Sequence, residues 1–295
     1  MDSQGVTTVM TCDHDAIVRR VYAGVEALAE PRRACASRTR ELFKRGGALG
    51  GEGFLTRYLD LVVDQNKMHL YEKTGELRSA LSCLEIVGVI DGHGLTSLGE
   101  ALLPILSHEG MSSQFVWYVL WINLSCTWLG AMAWNMLTRQ GSTIPLLTEA
   151  LCSYLCGEDA VDSQDRGAAS SLENSFQNTV WGDLGIGEAP AHGRRLWLRT
   201  TSEDVDPLLV LYGLYKAANV SMMPTIDGEQ LATLPYGPCV TLGIDGTTAV
   251  HQLLSLWLPG LLAQRREGDG IMFSVQTDKD GCDVVREYAR RRGYQ

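Results

Sequence analysis

Lysine is scarce in this sequence. There are 5 lysines among 295 residues, against 20 arginines, and the formal net charge is −10. A chain this acidic does not hold nucleic acid by bulk attraction, because the phosphate backbone repels it. Any such contact has to come from local basic patches. Arginine suits them, since its planar fork meets phosphate with two hydrogen bonds, although a compositional habit of the source would also produce the bias. The 8 cysteines are scattered, and no two form a C-x-x-C pair. That distribution suits free thiols in a reducing compartment and excludes a disulfide framework. The start, Met1 to Asp15, lacks the basic and apolar pattern of a secretory leader, so a cytoplasmic protein is expected. A hydrolase elbow, a zinc cluster, a dinucleotide fingerprint and a kinase signature are all missing. The glycine-rich piece Gly46 to Gly53 has no following Gly-Lys-Ser/Thr, so it is a turn and not a phosphate loop.

What the chain does have is apolar material. Hydrophobic residues make up 45% of it and charged residues 20%, enough for a sizeable core. No charge falls between Glu109 and Arg139. Length alone would admit a membrane span there. The polar Asn123, Thr127 and Asn135, with Trp121 and Trp128 in mid-segment, argue instead for a buried core helix or two helices breaking near Leu124 to Thr127. Trp117, Trp121, Leu124 and Trp128 share one face at helical spacing.

Apolar spacing predicts further helices over 15–28, 54–63, 146–155 and 171–181, with 182–192 a loop. Cys152 and Cys156 share a helix face but lack further ligands, so they read as core thiols. A helix from Glu76 through Leu84 and Val87, a glycine turn over 88–94, a strand-like Leu95-Thr96 and a new helix form a winged-helix end. Thr96 or Ser97 would cap the new helix, with Glu100 placed for a capping box. Near the C-terminus, Pro207 opens a helix. A short helix over 228–234, a strand over 240–244, a long helix over 247–264 interrupted by Pro259, a strand over 271–275 and a closing helix over 283–292 follow. The expected fold is mainly α with small β wings (α+β): winged-helix-like modules around a Trp-rich helical core. Three units are expected. They are a basic helical segment (1–73), a winged-helix module with the Trp-rich helices (74–156), and a C-terminal winged-helix-like domain (171–295), the last set off by an acidic, small-residue loop over 157–170.

Candidate DNA contacts are Arg32, Arg33, Arg38, Arg40, Lys44 and Arg45, then Lys67, Lys73 and Arg78, with a further C-terminal set in Arg286, Arg290, Arg291 and Arg292. Candidate Mg²⁺ ligands are Asp278, Asp280 and Asp283, because alternating carboxylates beside a glycine can aim oxygens at one point. The same residues read more simply as a solvated loop with a helix cap, since the closing Glu of a calcium loop is absent. Glu203, Asp204 and Asp206 read as favourable charge at a helix N-terminus. Asp13, His14 and Asp15 form a weaker cluster.

Four stretches in order carry a family likeness: Leu84 to Asp91 with Leu95-Thr-Ser-Leu-Gly99; Trp117, Trp121, Trp128 and Trp134; Pro207 to Tyr215; and Gly237 to Leu242 followed by a helix, a strand and Asp278-Lys-Asp-Gly281. Over roughly residues 75–290 the chain resembles the DUF4007 family. That family includes the SspB-type subunit of bacterial single-strand DNA phosphorothioation systems. The resemblance implies a DNA-directed component of a phage-defence system, acting beside other subunits of the same modification system. It also implies DNA nicking, an endonuclease activity that needs a divalent cation such as Mg²⁺. A non-catalytic winged-helix regulator or adaptor is the alternative, and an interaction scaffold that never touches DNA is a third reading.

Overall fold

The computed structural model describes residues 59–75, 81, 84–85, 87–92, 94–111, 113–125, 187–188, 197–198, 205–234 and 236–295. The expected helices at 15–28, 146–155 and 171–181, the boundary loop at 157–170, and Cys152 with Cys156 lie outside these residues. So does the first half of the helix expected over 54–63, residues 54–58.

Helices dominate, with small antiparallel sheets of two and three strands. The first described group comprises α1 (Asp60–Val63), a 3-10 turn (Gln65–Lys67) and α2 (Met68–Thr74). Gly75 ends α2 in the left-handed conformation that costs glycine little, and its N–H closes the last turn. Leu81, Leu84 and Glu85 are helical, as the apolar spacing predicts. A short wing follows, β1 (Ile90–Asp91) paired antiparallel with β2 (Gly94–Leu95). Then come α3 (Ser97–Glu109) and α4 (Gln114–Ser125).

Thr96 joins the wing to α3. Its hydroxyl donates to the Gly88 carbonyl at 2.7 Å and accepts from the Gly99 N–H at 3.1 Å. With Thr96 as the cap, the third helical residue is Gly99, not Glu100, so the anticipated capping box has no side chain to close it. Gly99 is there for space. A Cβ on it would lie 2.3 Å from the Val89 carbonyl oxygen.

The Trp-rich segment is a buried helix in its described part. Trp121 is fully buried and donates its indole N–H to the Thr241 carbonyl at 2.7 Å, across 120 residues of sequence. Asn123 donates to the Val87 carbonyl at 2.5 Å and accepts from the Tyr212 hydroxyl at 3.2 Å. Polar residues in an apolar run are here satisfied cross-links, which is what burial of a polar group requires. Among the described residues no helix is long and apolar enough to cross a membrane.

A two-residue ladder, β3 (Gly187–Glu188) with β4 (Trp197–Leu198), falls partly in the stretch expected to be loop. The C-terminal group then runs α5 (Pro207–Ser221), β5 (Thr225–Asp227), a 3-10 helix (Gly228–Thr233), α6 (Pro238–Leu242), α7 (Gly246–Leu254), β6 (Leu262–Glu267), β7 (Gly270–Val275) and α8 (Gly281–Arg292). Its sheet order is β5-β7-β6, all antiparallel. Helix, strand, two helices, a two-stranded wing and a closing helix, with the first strand beside the last, is winged-helix topology.

Two expectations fail here for identifiable reasons. The stretch 240–244 is helical, because Pro238 fixes the first turn of α6 and Gly243 ends it in the left-handed region. The stretch 247–264 is not one helix. α7 stops at Leu254, Pro259 forbids resumption, and Leu262 starts β6. The strand over 271–275, the short helix from Gly228 and the closing helix form where expected.

Buried side chains from Leu59 to Ala289 join in one cluster. Within it α8 packs on α3 and α5, and α5 packs on α4 and α6. Glu109 locks the α3–α8 seam. Its carboxylate accepts from the hydroxyls of Tyr288 at 3.0 Å, Tyr294 at 2.9 Å and Ser113 at 2.5 Å.

Candidate nucleic-acid interface

In a winged helix the helix before the wing is the one that enters a DNA groove. In the C-terminal group that helix is α7. Asp245 caps it, accepting from the Thr248 N–H at 2.8 Å and the Thr248 hydroxyl at 2.7 Å. Burial opposes ionisation of Asp245, but these hydrogen bonds outweigh it and hold the carboxyl below its ordinary range. Ala249 and Leu253, four apart, face the core, while Thr247, His251, Leu254 and Ser255 form the exposed stripe. No Asp, Glu, Lys or Arg occurs from Gly246 to Gln264. The stripe therefore offers hydroxyls, an imidazole and apolar surface, with no carboxylate to repel phosphate.

The wing is fixed against this helix by one side chain. Gln264 on β6 donates its amide to the carbonyls of Leu253 at 2.8 Å, in the last turn of the helix, and Leu256 at 2.9 Å, just beyond it; the Leu253 carbonyl also accepts from the Leu256 N–H at 3.2 Å. Gln264 pairs with the fully buried Phe273, so both project to the helix side of the sheet. Arg266, two residues on, projects to that side too, and Arg265 to the opposite one. Both arginines are exposed, and neither forms an ion pair among the described residues. The tip carries Glu267 and Asp269, which confines the free positive charge to the strand.

The arginines of α8 are engaged by neighbours on their own helix. Arg286 pairs with Asp283 at 3.2 Å, and Arg290 and Arg291 pair with Glu287 at 2.7 and 2.9 Å. Arg292 lies over the Tyr288 ring, 5.2 Å from its centre. The hydrogen bond from Arg290 holds Glu287 below the ordinary carboxylate range, and the one from Arg291 adds to it against the opposing effect of burial. Of the basic residues read from the sequence, Lys67 sits in the 3-10 turn 3.8 Å from Asp60, and Lys73 is exposed in the last turn of α2. Arg32, Arg33, Arg38, Arg40, Lys44, Arg45 and Arg78 lie outside the described residues.

The proposed metal ligands have other partners. Asp280 is the N-cap of α8, accepting from the N–H groups of Cys282 at 2.7 Å and Asp283 at 3.3 Å. Asp283 closes the capping box, accepting from the Asp280 N–H at 3.0 Å, and its other oxygen holds Arg286. Asp278 is exposed on the preceding loop. Among the described residues no group of three or more His, Cys, Asp or Glu side chains is arranged to hold a metal ion. The donor set of Asp278, Asp280 and Asp283 does not fit Mg²⁺ as it stands. Asp206 likewise caps α5 through the Leu208 N–H at 2.9 Å. Burial, and then the nearby Asp280, push the Cys282 thiol up to about 11, so it is no nucleophile at neutral pH.

Sequence reasoning missed the α7 stripe, Arg265 and Arg266. The signal was present as a charge-free run broken by Pro259-Gly260 and closed by two arginines.

No family model matches the chain, and no curated protein matches it. Its fold does match a solved one. The crystal structure of a protein named SspB superposes with a TM-score of 0.58 at 12% sequence identity, covering 84% of this chain and 86% of that one. At that identity the likeness is one of fold, and it extends over most of both chains: this protein has an SspB-like fold.

Proposed function

We propose that this protein is a DNA-directed subunit of a phosphorothioation-based defence system, acting with other subunits of that system, and that its C-terminal winged helix is a DNA contact. The observation that carries the reading is the α7–wing unit: a carboxylate-free exposed stripe clamped by Gln264 to a strand whose two arginines form no ion pair among the described residues. The SspB-like fold supports the assignment to that kind of system. Phosphate contacts from Arg265 and Arg266 would set register, and the stripe of Thr247 and His251 would face the groove.

DNA processing by nicking is the finer form of this reading, with Mg²⁺ as its expected cofactor. Asp278, Asp280 and Asp283 supply no site for the ion, so no step is drawn through it. Lys67 and Lys73, with the arginines at 32–45 and Arg78, are proposed as auxiliary backbone contacts. A non-catalytic winged-helix DNA-binding regulator or adaptor is the second reading, which the α7–wing unit would serve as well.

One experiment separates these readings: incubation of the full chain with supercoiled plasmid in Mg²⁺ and in EDTA, beside a mobility-shift titration. Open circles in Mg²⁺ alone support nicking. A shift without cleavage supports the adaptor. No shift at low salt contradicts the DNA reading altogether.

A further inference from the structure

Trp257 is 85% exposed, an unusual state for the largest apolar side chain. It stands just beyond the end of α7, three residues after Leu254, which is 43% exposed. The backbone beneath it is fixed on both sides. Before it, Leu256 is buried and its carbonyl is held by Gln264 at 2.9 Å. After it, the Leu258 carbonyl accepts from the N–H groups of both Leu261 and Leu262 at 2.8 Å. The indole is thus a bare planar ring on a rigid corner between helix and wing. An aromatic face on a fixed platform, with no carboxylate from Gly246 to Gln264 and with Arg265 and Arg266 on the β6 strand that follows, neither in an ion pair among the described residues, has the features of a nucleobase-stacking surface. Every base has a π face, but in an intact duplex those faces are covered by their neighbours.

We propose that Trp257 stacks on an unpaired base, so that the C-terminal module favours single-stranded or gapped DNA over intact duplex. This rests on the DNA reading above and adds a residue and a substrate form to it. Trp257 is a binding residue here, not a catalytic one.

The test is fluorescence anisotropy with the full chain, using a labelled single strand and a blunt duplex of the same sequence. Trp257→Ala, Trp257→Leu and Trp257→Phe are compared after each is shown to melt at the wild-type temperature, as expected for so exposed a side chain. Loss of one base stack corresponds to a weakening of about tenfold. The Ala and Leu variants are expected to show that loss on the single strand, the Phe variant to stay within about threefold, and duplex binding to change by less than about twofold. Unchanged single-strand binding by Trp257→Ala, or equal loss on both DNAs, overturns the inference while leaving the DNA reading standing. Retention by Trp257→Leu overturns it in favour of a non-aromatic apolar contact with the strand. A wild-type chain that binds neither DNA overturns both.

Discussion

The side-chain amide of Gln264 donates to the carbonyl of Leu253 at 2.8 Å, tying the wing to the end of the helix that precedes it. A second bond to Leu256 makes the tie bidentate. Replacing Gln264 with Ala leaves the Leu256 carbonyl to water and the Leu253 carbonyl with its backbone partner, the Leu256 N–H at 3.2 Å. A net loss of ~1–2 kcal/mol is expected, at the usual worth of two neutral hydrogen bonds. Urea denaturation measures it, and hydrogen exchange should show faster opening at the C-terminal turn of α7 than elsewhere.

Glu109 gathers three hydroxyls from α8, the C-terminal tail and the α3–α4 turn. Glu109→Ala leaves the Tyr288 and Tyr294 hydroxyls without this acceptor in a part-buried seam. Bonds to charged groups are worth ~1.5–3 kcal/mol each, less where water re-enters. A lowered melting temperature with unchanged helix content is the expected result in thermal circular dichroism.

Asp280 and Asp283 form a reciprocal cap on α8. Asp280→Ala should cost ~1 kcal/mol, the typical worth of an N-cap. Asp278→Asn should cost nothing measurable. Mg²⁺ or EDTA should move the melting temperature of none of these proteins. A Mg²⁺-dependent rise lost in Asp278→Asn would instead show that the three carboxylates do bind metal.

Much of this fold is visible in the residues themselves. Pro207, Thr96 and Asp280 each mark a helix start by local chemistry that acts wherever the chain goes. Trp121 and Asn123 read as buried because their polarity is wrong for lipid, and the structure supplies their partners in Thr241 and Tyr212. Their pairing partners were not readable, since they lie 120 and 89 residues away. Apolar spacing alone does not separate α7 from β6. Leu261 and Leu262 continue the apolar run, and only the pairing of β6 with β7 makes that segment a strand. The acidic trio is ambiguous in another way. A carboxylate that caps a helix and one that binds a cation share a sequence pattern, and the hydrogen bonds decide between them.

Acid should weaken the C-terminal unit. The folded values of Glu287 and Asp245 are depressed, so each contributes stability above the unfolded carboxylate range and loses it as pH falls through its lower folded value. Stability should therefore decline as pH drops below about 4.3, the ordinary glutamate value. Glu287→Gln should flatten that decline, as measured by urea titrations at a series of pH values.

The central claim is that the α7–wing unit grips DNA through Arg265 and Arg266. Its most direct test is the salt dependence of duplex binding for the wild type and for Arg265→Ala/Arg266→Ala. Each phosphate contact adds a slope of about −0.9 to log affinity against log salt. The account predicts a falling line for the wild type and a slope shallower by about 2 in the double variant. Parallel lines, or no salt-dependent binding by the wild type, would contradict it.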